Sequence, residues 1–252
     1  MIRTEGLEKR YGSFQALKPI DLHVRKGEVF GFLGPNGAGK TTFIRMISGL
    51  LPPTSGQVWI DGMEMGTHTL EAKRITGYIP DRPYLYEKLT GREFLGFVGG
   101  VYGMSPKDSR DRGDPLLEEF GLGRVGDQLI EGFSHGMKQR LTLAAALLHE
   151  PRLIIVDEPM VGLDPGGARQ IKNVFRQLAD EGRTVFLSTH SLDVAQEVCD
   201  RLVILNQGAI VTSGSYDEIR SNAHPQARDL EEVFLKILDE EANTHFEPKE
   251  AE

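Results

Sequence analysis

The sequence predicts an α/β fold in which helices cover a mainly parallel β-sheet. Strand-like runs alternate along the chain with segments compatible with helix, which is the pattern of strand–helix–strand units. Two of the runs, at 153–156 and 184–188, are almost continuously apolar, as expected for parallel strands buried on both faces. A third strand is predicted at 28–33, shortly before a helix that begins at Lys40. These strands form the predicted core.

Other segments depart from this alternation. Residues 2–27 alternate polar and apolar side chains between glycine turns, which predicts an N-terminal antiparallel β-subdomain. The segment from about 84 to 140 lacks a strong strand and predicts an inserted α-helical subdomain. Residues 202–213 predict a β-hairpin. We assign 1–222 to one domain, and 223–252 to a C-terminal helix followed by an acidic tail.

The composition is that of a globular protein and excludes several kinds of partner. Apolar residues make up 39% of the 252 residues, charged residues make up 26%, and the formal net charge is −8. An acidic chain is poorly suited to bind nucleic acid or anionic lipid by charge. No apolar run approaches the ~18 residues needed to cross a bilayer. The single cysteine, Cys199, cannot form an intrachain disulfide, which fits a reducing compartment. We therefore expect membrane association only through a protein partner.

The segment between the strand at 28–33 and the helix at Lys40 has the spacing of a phosphate-binding loop, Gly-x-x-x-x-Gly-Lys-Thr. The loop and the next residue are Gly34, Pro35, Asn36, Gly37, Ala38, Gly39, Lys40, Thr41 and Thr42. Glycines let the backbone curl so that several N–H groups point at one anion, and the helix N-terminus adds a favourable dipole. Lys40 is expected to reach the β- and γ-phosphates of the nucleotide, and the Thr41 hydroxyl to bind Mg²⁺. The flanking strand and helix favour this interpretation over a flexible glycine turn.

Two adjacent acids follow the apolar strand at 153–156. Carboxylates at the carboxyl end of a parallel strand lie where open α/β sheets bind ligands. Asp157 is suited to hold Mg²⁺ through water, and Glu158 to polarise an attacking water molecule. For the pair alone, a solvated acidic turn is the alternative. Together with the phosphate loop, the pair predicts a site that hydrolyses a nucleotide.

Further segments, in their order along the chain, resemble those of the ATP-binding-cassette (ABC) transporter ATPases, and the resemblance covers residues 1–220. Residues 134–140 resemble the signature segment of that family, and 162–165 resemble its D-loop. His190 resembles the switch histidine, which implies a contact with the γ-phosphate of ATP. Tyr11 stands where the family has an aromatic ring that stacks on adenine. A structural histidine and a core tyrosine remain the alternatives for these last two, since Phe14 is also near Tyr11.

The resemblance implies that each ATP is shared between two chains. In the family, the phosphate loop of one copy and the signature segment of the other hold the same nucleotide. Ser134 and Gly136 are therefore expected to contact ATP bound to a second ATPase subunit in a homodimer. From the residues alone, Ser134 is an N-cap of a helix that starts near Gly136. The family also implies separate membrane-spanning permease subunits and a cytoplasmic, peripheral location on the inner face of the cell membrane.

Two positions depart from the family pattern. Glutamine usually follows the strand that ends Tyr-x-Pro, but here the residue is Asp81, which we expect to keep a role in binding Mg²⁺. A helix N-cap or an ion pair with Arg82 is the alternative for Asp81. His135 stands where glycine is common, and the form Ser-x-Gly-Met-x-Gln-Arg resembles the exporter-like ABC-2 branch. The segment 230–235 also resembles the C-terminal tail of that branch.

Apolar side chains after Asp81 predict either a groove for a helix of the permease or the core of the helical subdomain. They are Tyr84, Leu85, Tyr86 and Leu89. Taken together, the motifs predict an ATP-hydrolysing subunit that powers a membrane transporter, an ABC-2-type exporter. The alternative is a soluble ABC ATPase acting in translation or DNA repair. Such proteins usually carry two cassettes in one chain or a long coiled-coil insertion, and this sequence has neither.

Overall fold

Two β-sheets organise the part of the chain that the structure, a computed structural model, describes: residues 1–160, 163–223, 232 and 234–236. The strands are β1 (Ile2–Tyr11), β2 (Phe14–Val24), β3 (Val29–Leu33), β4 (Ser55–Ile60), β5 (Met63–Glu64), β6 (Thr76–Ile79), β7 (Leu153–Asp157), β8 (Thr184–Thr189), β9 (Arg201–Asn206) and β10 (Ala209–Gly214). The helices are α1 (Lys40–Ile47), α2 (Thr69–Arg74), α3 (Gly91–Val101), α4 (Pro106–Glu119), α5 (His135–Leu147), α6 (Pro165–Asp180), α7 (Leu192–Val198) and α8 (Tyr216–Ala223).

The larger sheet has the strand order β10-β9-β3-β8-β7-β6. β3 pairs in parallel with β8 and β9, and β7 pairs in parallel with β8 and β6. β10 is antiparallel to β9, which confirms the hairpin predicted at 202–213. Every residue of β3, β7 and β8 is buried. The predicted fold class, an α/β fold around a mainly parallel sheet, is therefore confirmed.

The smaller sheet is antiparallel and has the order β2-β1-β4-β5. It confirms the antiparallel strands predicted at 2–27 and adds β4 and β5, which the sequence analysis did not predict. Phe43 of α1 stacks on Phe32 of β3, with 4.5 Å between the ring centroids. The same buried cluster contains Leu17 of β2 and Val58 of β4. Both sheets therefore fix the helix that follows the phosphate loop.

The region that follows β6 is helical, as predicted. Thr90 caps α3 in a capping box with Glu93, and Ser105 caps α4. α3, α4 and α5 share a buried apolar cluster with β6, β7 and α6. The limits proposed for the inserted subdomain and for the C-terminal segment remain predictions. Most of the helix expected near 229–238, and all of the acidic tail, lie outside the described residues.

The helices also bear on the membrane question. Within the described ranges, none of them combines the length and the hydrophobicity that crossing a membrane requires.

Candidate functional site

Most of the predicted site residues, but not Ser134 and Gly136, lie near the carboxyl edge of the large sheet. The phosphate loop follows β3, His190 follows β8 and Glu158 follows β7, and these three strands are neighbours. Asp81 lies two residues beyond β6, the next strand. A cavity of about 340 Å³ opens at this edge. It is lined by Tyr11, Phe14, Ala16, Pro35, Asn36, Gly37, Gly39, Lys40, Thr41, Thr42, Asp81 and Glu158.

The phosphate loop is held in a conformation that requires glycine. Gly39 has a φ of 109°, and a Cβ atom there would lie 2.6 Å from Leu17 Cδ2 and 2.9 Å from the Ala16 carbonyl oxygen. A Cβ atom on Gly34 would lie 2.3 Å from the Leu205 carbonyl oxygen. The fifth residue of the loop, Ala38, accepts a hydrogen bond of 3.0 Å from a backbone N–H of the β9–β10 turn. Neighbouring strands therefore shape the loop before any ligand binds.

Lys40 projects into the centre of this loop. Its side chain is only 7% exposed. Its Nζ donates hydrogen bonds to the carbonyl oxygens of Gly34, at 2.7 Å, and Pro35, at 3.3 Å. The same Nζ lies 3.5 Å from Glu158 Oε1. The ammonium group thus stands between the loop that would hold phosphates and the acid that would act on them.

Asp157 and Thr41 form the part of the site that suits a divalent cation. Asp157 is fully buried, and its Oδ1 accepts a hydrogen bond of 2.5 Å from Ser188 Oγ. Burial raises the pKa of Asp157, and the nearby charges of Asp81 and Glu158 raise it further, whereas hydrogen bonds from Ser188 and Thr41 lower it. The second carboxylate oxygen, Oδ2, is buried without a partner.

These features fit Mg²⁺, which prefers oxygen ligands and compensates a buried carboxylate. Among the described residues, no group of three or more histidine, cysteine or acidic side chains forms a complete metal site. Mg²⁺ usually binds through one or two carboxylates together with water and substrate phosphates, and the oxygens of Asp157 and Thr41 suit that arrangement.

Glu158 and His190 form a hydrogen-bonded pair beside Lys40. His190 Nδ1 lies 2.9 Å from Glu158 Oε2, and Glu158 Oε1 is buried without a hydrogen bond. Glu158 has a φ of 51°, a conformation uncommon for residues other than glycine. Its backbone N–H donates to the Ser188 carbonyl oxygen at 3.2 Å. The neighbouring strand thus helps to hold the turn that carries this carboxylate.

Two aromatic rings, those of Tyr11 and Phe14, also line the cavity. Tyr11 is 48% exposed and Phe14 is 65% exposed, so neither ring belongs to the core, and the interpretation of either as a core residue is wrong. Lys9 Nζ lies 5.4 Å from the centroid of the Tyr11 ring. Both rings offer a stacking surface for a planar base.

Asp81 is exposed and lines the cavity. The alternative that it caps a helix is wrong, because the next helix, α3, is capped by Thr90. None of the ion pairs among the described residues joins Asp81 to Arg82. Its negative charge is close enough to raise the pKa of both Asp157 and Tyr78, the latter mainly raised by burial to about 12.

The signature segment lies apart from this cavity. Ser134 caps α5, and its Oγ accepts a hydrogen bond of 3.3 Å from the Met137 N–H, which confirms the predicted N-cap. Neither Ser134 nor Gly136 lines the cavity. Asp164 caps α6 and accepts a hydrogen bond of 2.6 Å from the Gly167 N–H, while Gly162 lies outside the described residues. One chain therefore lines one side of the expected nucleotide site.

Two residues of the site were not predicted. Ser188 anchors Asp157, and a polar residue near the end of an apolar strand, two positions before His190, was the available signal. Ala16 also lines the cavity, and the sequence contains no signal for it.

Asp157→Asn should raise the melting temperature at neutral pH by about 3 °C, because it removes a buried charge. Since the pKa of Asp157 is raised by folding, the stability contributed by its protonated form is complete below the unfolded-state pKa and is lost as pH rises through the folded-state pKa. The advantage of the variant should therefore grow from about pH 4 to pH 7. Mg²⁺-dependent ATP hydrolysis should fall at least about tenfold.

Thermal unfolding at several pH values measures the first effect, and phosphate release with varied Mg²⁺ measures the second. Asp180→Asn is the control, because that carboxylate is 75% exposed at the end of α6. A melting temperature lowered at neutral pH would contradict the assignment of Asp157 as a buried, costly charge.

Comparison with known proteins agrees with this geometry. The model of the ABC transporter family matches residues 17–161. The linearmycin resistance ATP-binding protein LnrL of Bacillus subtilis (strain 168) is 40% identical over 88% of this chain and 71% of its own length. The daunorubicin resistance ATP-binding protein DrrA3 of Streptomyces coeruleorubidus is 38% identical over 87% of this chain and 70% of its own.

Solved structures agree as well. One ATP-binding subunit of an ABC transporter superposes with a TM-score of 0.89 at 34% identity, covering 94% of this chain and 99% of that one. The cassette MJ0796, in a dimeric post-hydrolysis state bound to ADP and phosphate, gives 0.79 at 27% identity, covering 85% of this chain and 98% of that one. The chain described here belongs to the ABC transporter family and is one of its ATP-binding, ATP-hydrolysing cassettes.

Proposed function

We propose that this chain powers an ABC-2-type exporter by closing and opening an ATP-sandwich dimer at the inner face of the cell membrane. The observation that carries the proposal is the split of the nucleotide site. Lys40, Thr41 and Glu158 line one cavity, while Ser134 and Gly136 lie outside it on the start of α5. A second copy of the chain can supply that missing wall, and the similar cassette MJ0796 is a dimer in its post-hydrolysis state with ADP and phosphate.

Within one cavity, each residue has a distinct role. Tyr11 stacks on adenine, the loop N–H groups and Lys40 hold the phosphates, and Thr41 and Asp157 hold Mg²⁺. When bound, Mg²⁺ neutralises charge on the phosphates. Glu158 accepts a proton from the attacking water, which fits a carboxylate that lines the cavity beside Lys40.

His190 contacts the γ-phosphate and holds the Glu158 carboxylate through the bond of 2.9 Å.

The second wall comes from the helix that begins at the signature. α5 has 13 residues, and its first N–H groups, next to Ser134 and Gly136, point towards a phosphate presented by the other copy. Two ATP molecules would then be buried between two copies, each bound by both. Hydrolysis converts each bound ATP into ADP and phosphate, which weakens the contacts that hold the two copies together and lets the dimer open.

A groove next to the cavity suits the permease. It has a volume of about 450 Å³ and begins at Asp81 and Arg45. Tyr84, 78% exposed, Leu85 and Phe94 contribute apolar walls. A short amphipathic helix of a permease would bury its apolar side here, with Asp81 shared between the groove and the ATP cavity. The names of LnrL and DrrA3 as resistance proteins favour export as the direction of transport.

Asp81→Ala should raise the Mg²⁺ concentration needed for half-maximal ATP hydrolysis about three- to tenfold and lower turnover, because one carboxylate near Asp157 is removed. Titration of ATPase activity with Mg²⁺ measures the effect. Asp217→Ala, on the exposed start of α8, is the control. Unchanged Mg²⁺ dependence and turnover would exclude a metal-related role for Asp81.

Affinity purification from detergent-solubilised membranes tests the proposed partner. We expect co-purification of a polytopic membrane protein, and loss of that protein when Tyr84 is replaced by aspartate at the groove. Recovery of ribosomes or DNA instead would favour the alternative, a soluble ABC ATPase acting in translation or DNA repair.

A further inference from the structure

The side chain of Gln139 is buried in the second turn of α5 without a hydrogen-bond partner. It is 1% exposed, and among the described residues neither its amide oxygen nor its amide nitrogen is bonded. Buried side-chain amides are nearly always hydrogen-bonded, because an unsatisfied donor and acceptor destabilise the fold. An apolar side chain of the same length would suit this position better. The unsatisfied amide therefore indicates that the protein has a second conformation, in which the Gln139 amide is hydrogen-bonded.

The topology shows what lies near Gln139. Only residues 148–152 connect α5 to β7, so the helix runs back along the sheet and starts at the carboxyl edge. That edge also carries Glu158. Met137 at the start of α5 and Met160 after β7 pack against one apolar cluster. Gln139, in the second turn of α5, therefore lies towards the same edge of the sheet as the residues that follow Glu158.

The side of α5 that carries Gln139 packs against the sheet. Gln139 shares a helical face with Leu143 and Ala146, three to four residues apart. Leu143 is fully buried, and the Ala146 carbonyl lies against Gly77 of β6, where a Cβ atom would be 2.6 Å away. This face of α5 is therefore turned towards the sheet, away from solvent.

α5 is thereby related to two different nucleotide sites. If the proposed dimer is correct, Ser134 at its start contacts ATP held by the other copy. Glu158 acts on ATP held by its own copy. We propose that, when the ATP-bound dimer closes, the Gln139 amide hydrogen-bonds to the backbone of residues 158–160. Gln139 is then a positioning residue: contact of the signature with one ATP aligns the carboxylate that acts on the other.

Gln139→Met tests this link, because methionine keeps the length and the helix propensity but has no donor or strong acceptor. In the nucleotide-free chain, the melting temperature should rise by about 2–4 °C. The kcat for ATP hydrolysis should fall about tenfold, while KM for ATP stays within about twofold. The Hill coefficient for ATP should fall towards one, since the two sites lose their connection.

Ser48→Ala is the matched control. Ser48 ends α1, at the opposite end of that helix from Lys40, and its Oγ is also buried without a partner. Its removal should leave kcat and the Hill coefficient unchanged. For Gln139→Met, an unchanged kcat with a higher melting temperature would overturn the inference, as would a lower melting temperature or a parallel rise in KM. A wild-type chain without ATPase activity would instead contradict the proposed function.

Discussion

Replacing Glu158 with glutamine should lower ATP turnover at least about a hundredfold while ATP remains bound. Glutamine has the same shape but cannot accept the proton of the attacking water. Lys40, only 3.5 Å from the carboxylate, remains available to hold the phosphates. Because binding proceeds and cleavage does not, two chains should accumulate as an ATP-bound dimer.

Size-exclusion chromatography with and without Mg²⁺-ATP measures the dimer, and phosphate release measures turnover. Glu150→Gln is a close control, because Glu150 has a φ of 53° and lies near the other end of β7, whereas Glu158 has 51°. The control should hydrolyse ATP normally and should not form a stable dimer. A Glu158→Gln chain that stays monomeric at saturating ATP would contradict the sandwich arrangement.

Replacing Lys40 with methionine should weaken ATP binding about a hundredfold and reduce hydrolysis below detection. The Lys40 ammonium is almost buried, and its position is fixed by the carbonyl oxygens of Gly34 and Pro35. Because water screens a buried charge only weakly, the ammonium group interacts strongly with phosphates. Methionine has a similar length but offers neither charge nor donor.

Titration with a fluorescent ATP analogue measures affinity, and circular dichroism verifies that the variant is folded. Lys107→Met removes a lysine that is 82% exposed on α4 and should bind ATP like the wild type. Equal affinity of Lys40→Met and wild type would exclude Lys40 from the nucleotide site. Partial loss in both variants would indicate an effect of net charge instead.

Patterns local in the sequence predicted most of the fold. The apolar strands and the phosphate loop are contiguous segments whose residue types alone specify their conformation. β4 was missed because only Val58 and Ile60 of its six residues are buried, so its apolar signal is weak. Its place in the sheet depends on pairing with β1, about 50 residues earlier in the chain. Such pairing is set by tertiary contacts.

The individual residues of the site could be predicted from the sequence, but the contacts between them could not. Lys40, Asp157 and Glu158 are specified by short motifs, but the bond between Glu158 and His190 depends on the register of β7 against β8. The burial of Gln139 depends on which side of α5 meets the sheet. A polar residue in a polar segment gives no sign of such burial.

The position of β3 in the sheet affects how the chain can fold during translation. β3 carries the phosphate loop, yet it lies between β8 and β9, which are translated much later. The Val29 N–H donates to Asp200 Oδ2, across 171 residues of sequence. A ribosome-bound chain that ends before β8 therefore exposes both edges of β3, although it already contains the residues that line the ATP cavity. The growing chain must therefore protect this apolar strand from other chains until β8 and β9 have emerged from the ribosome.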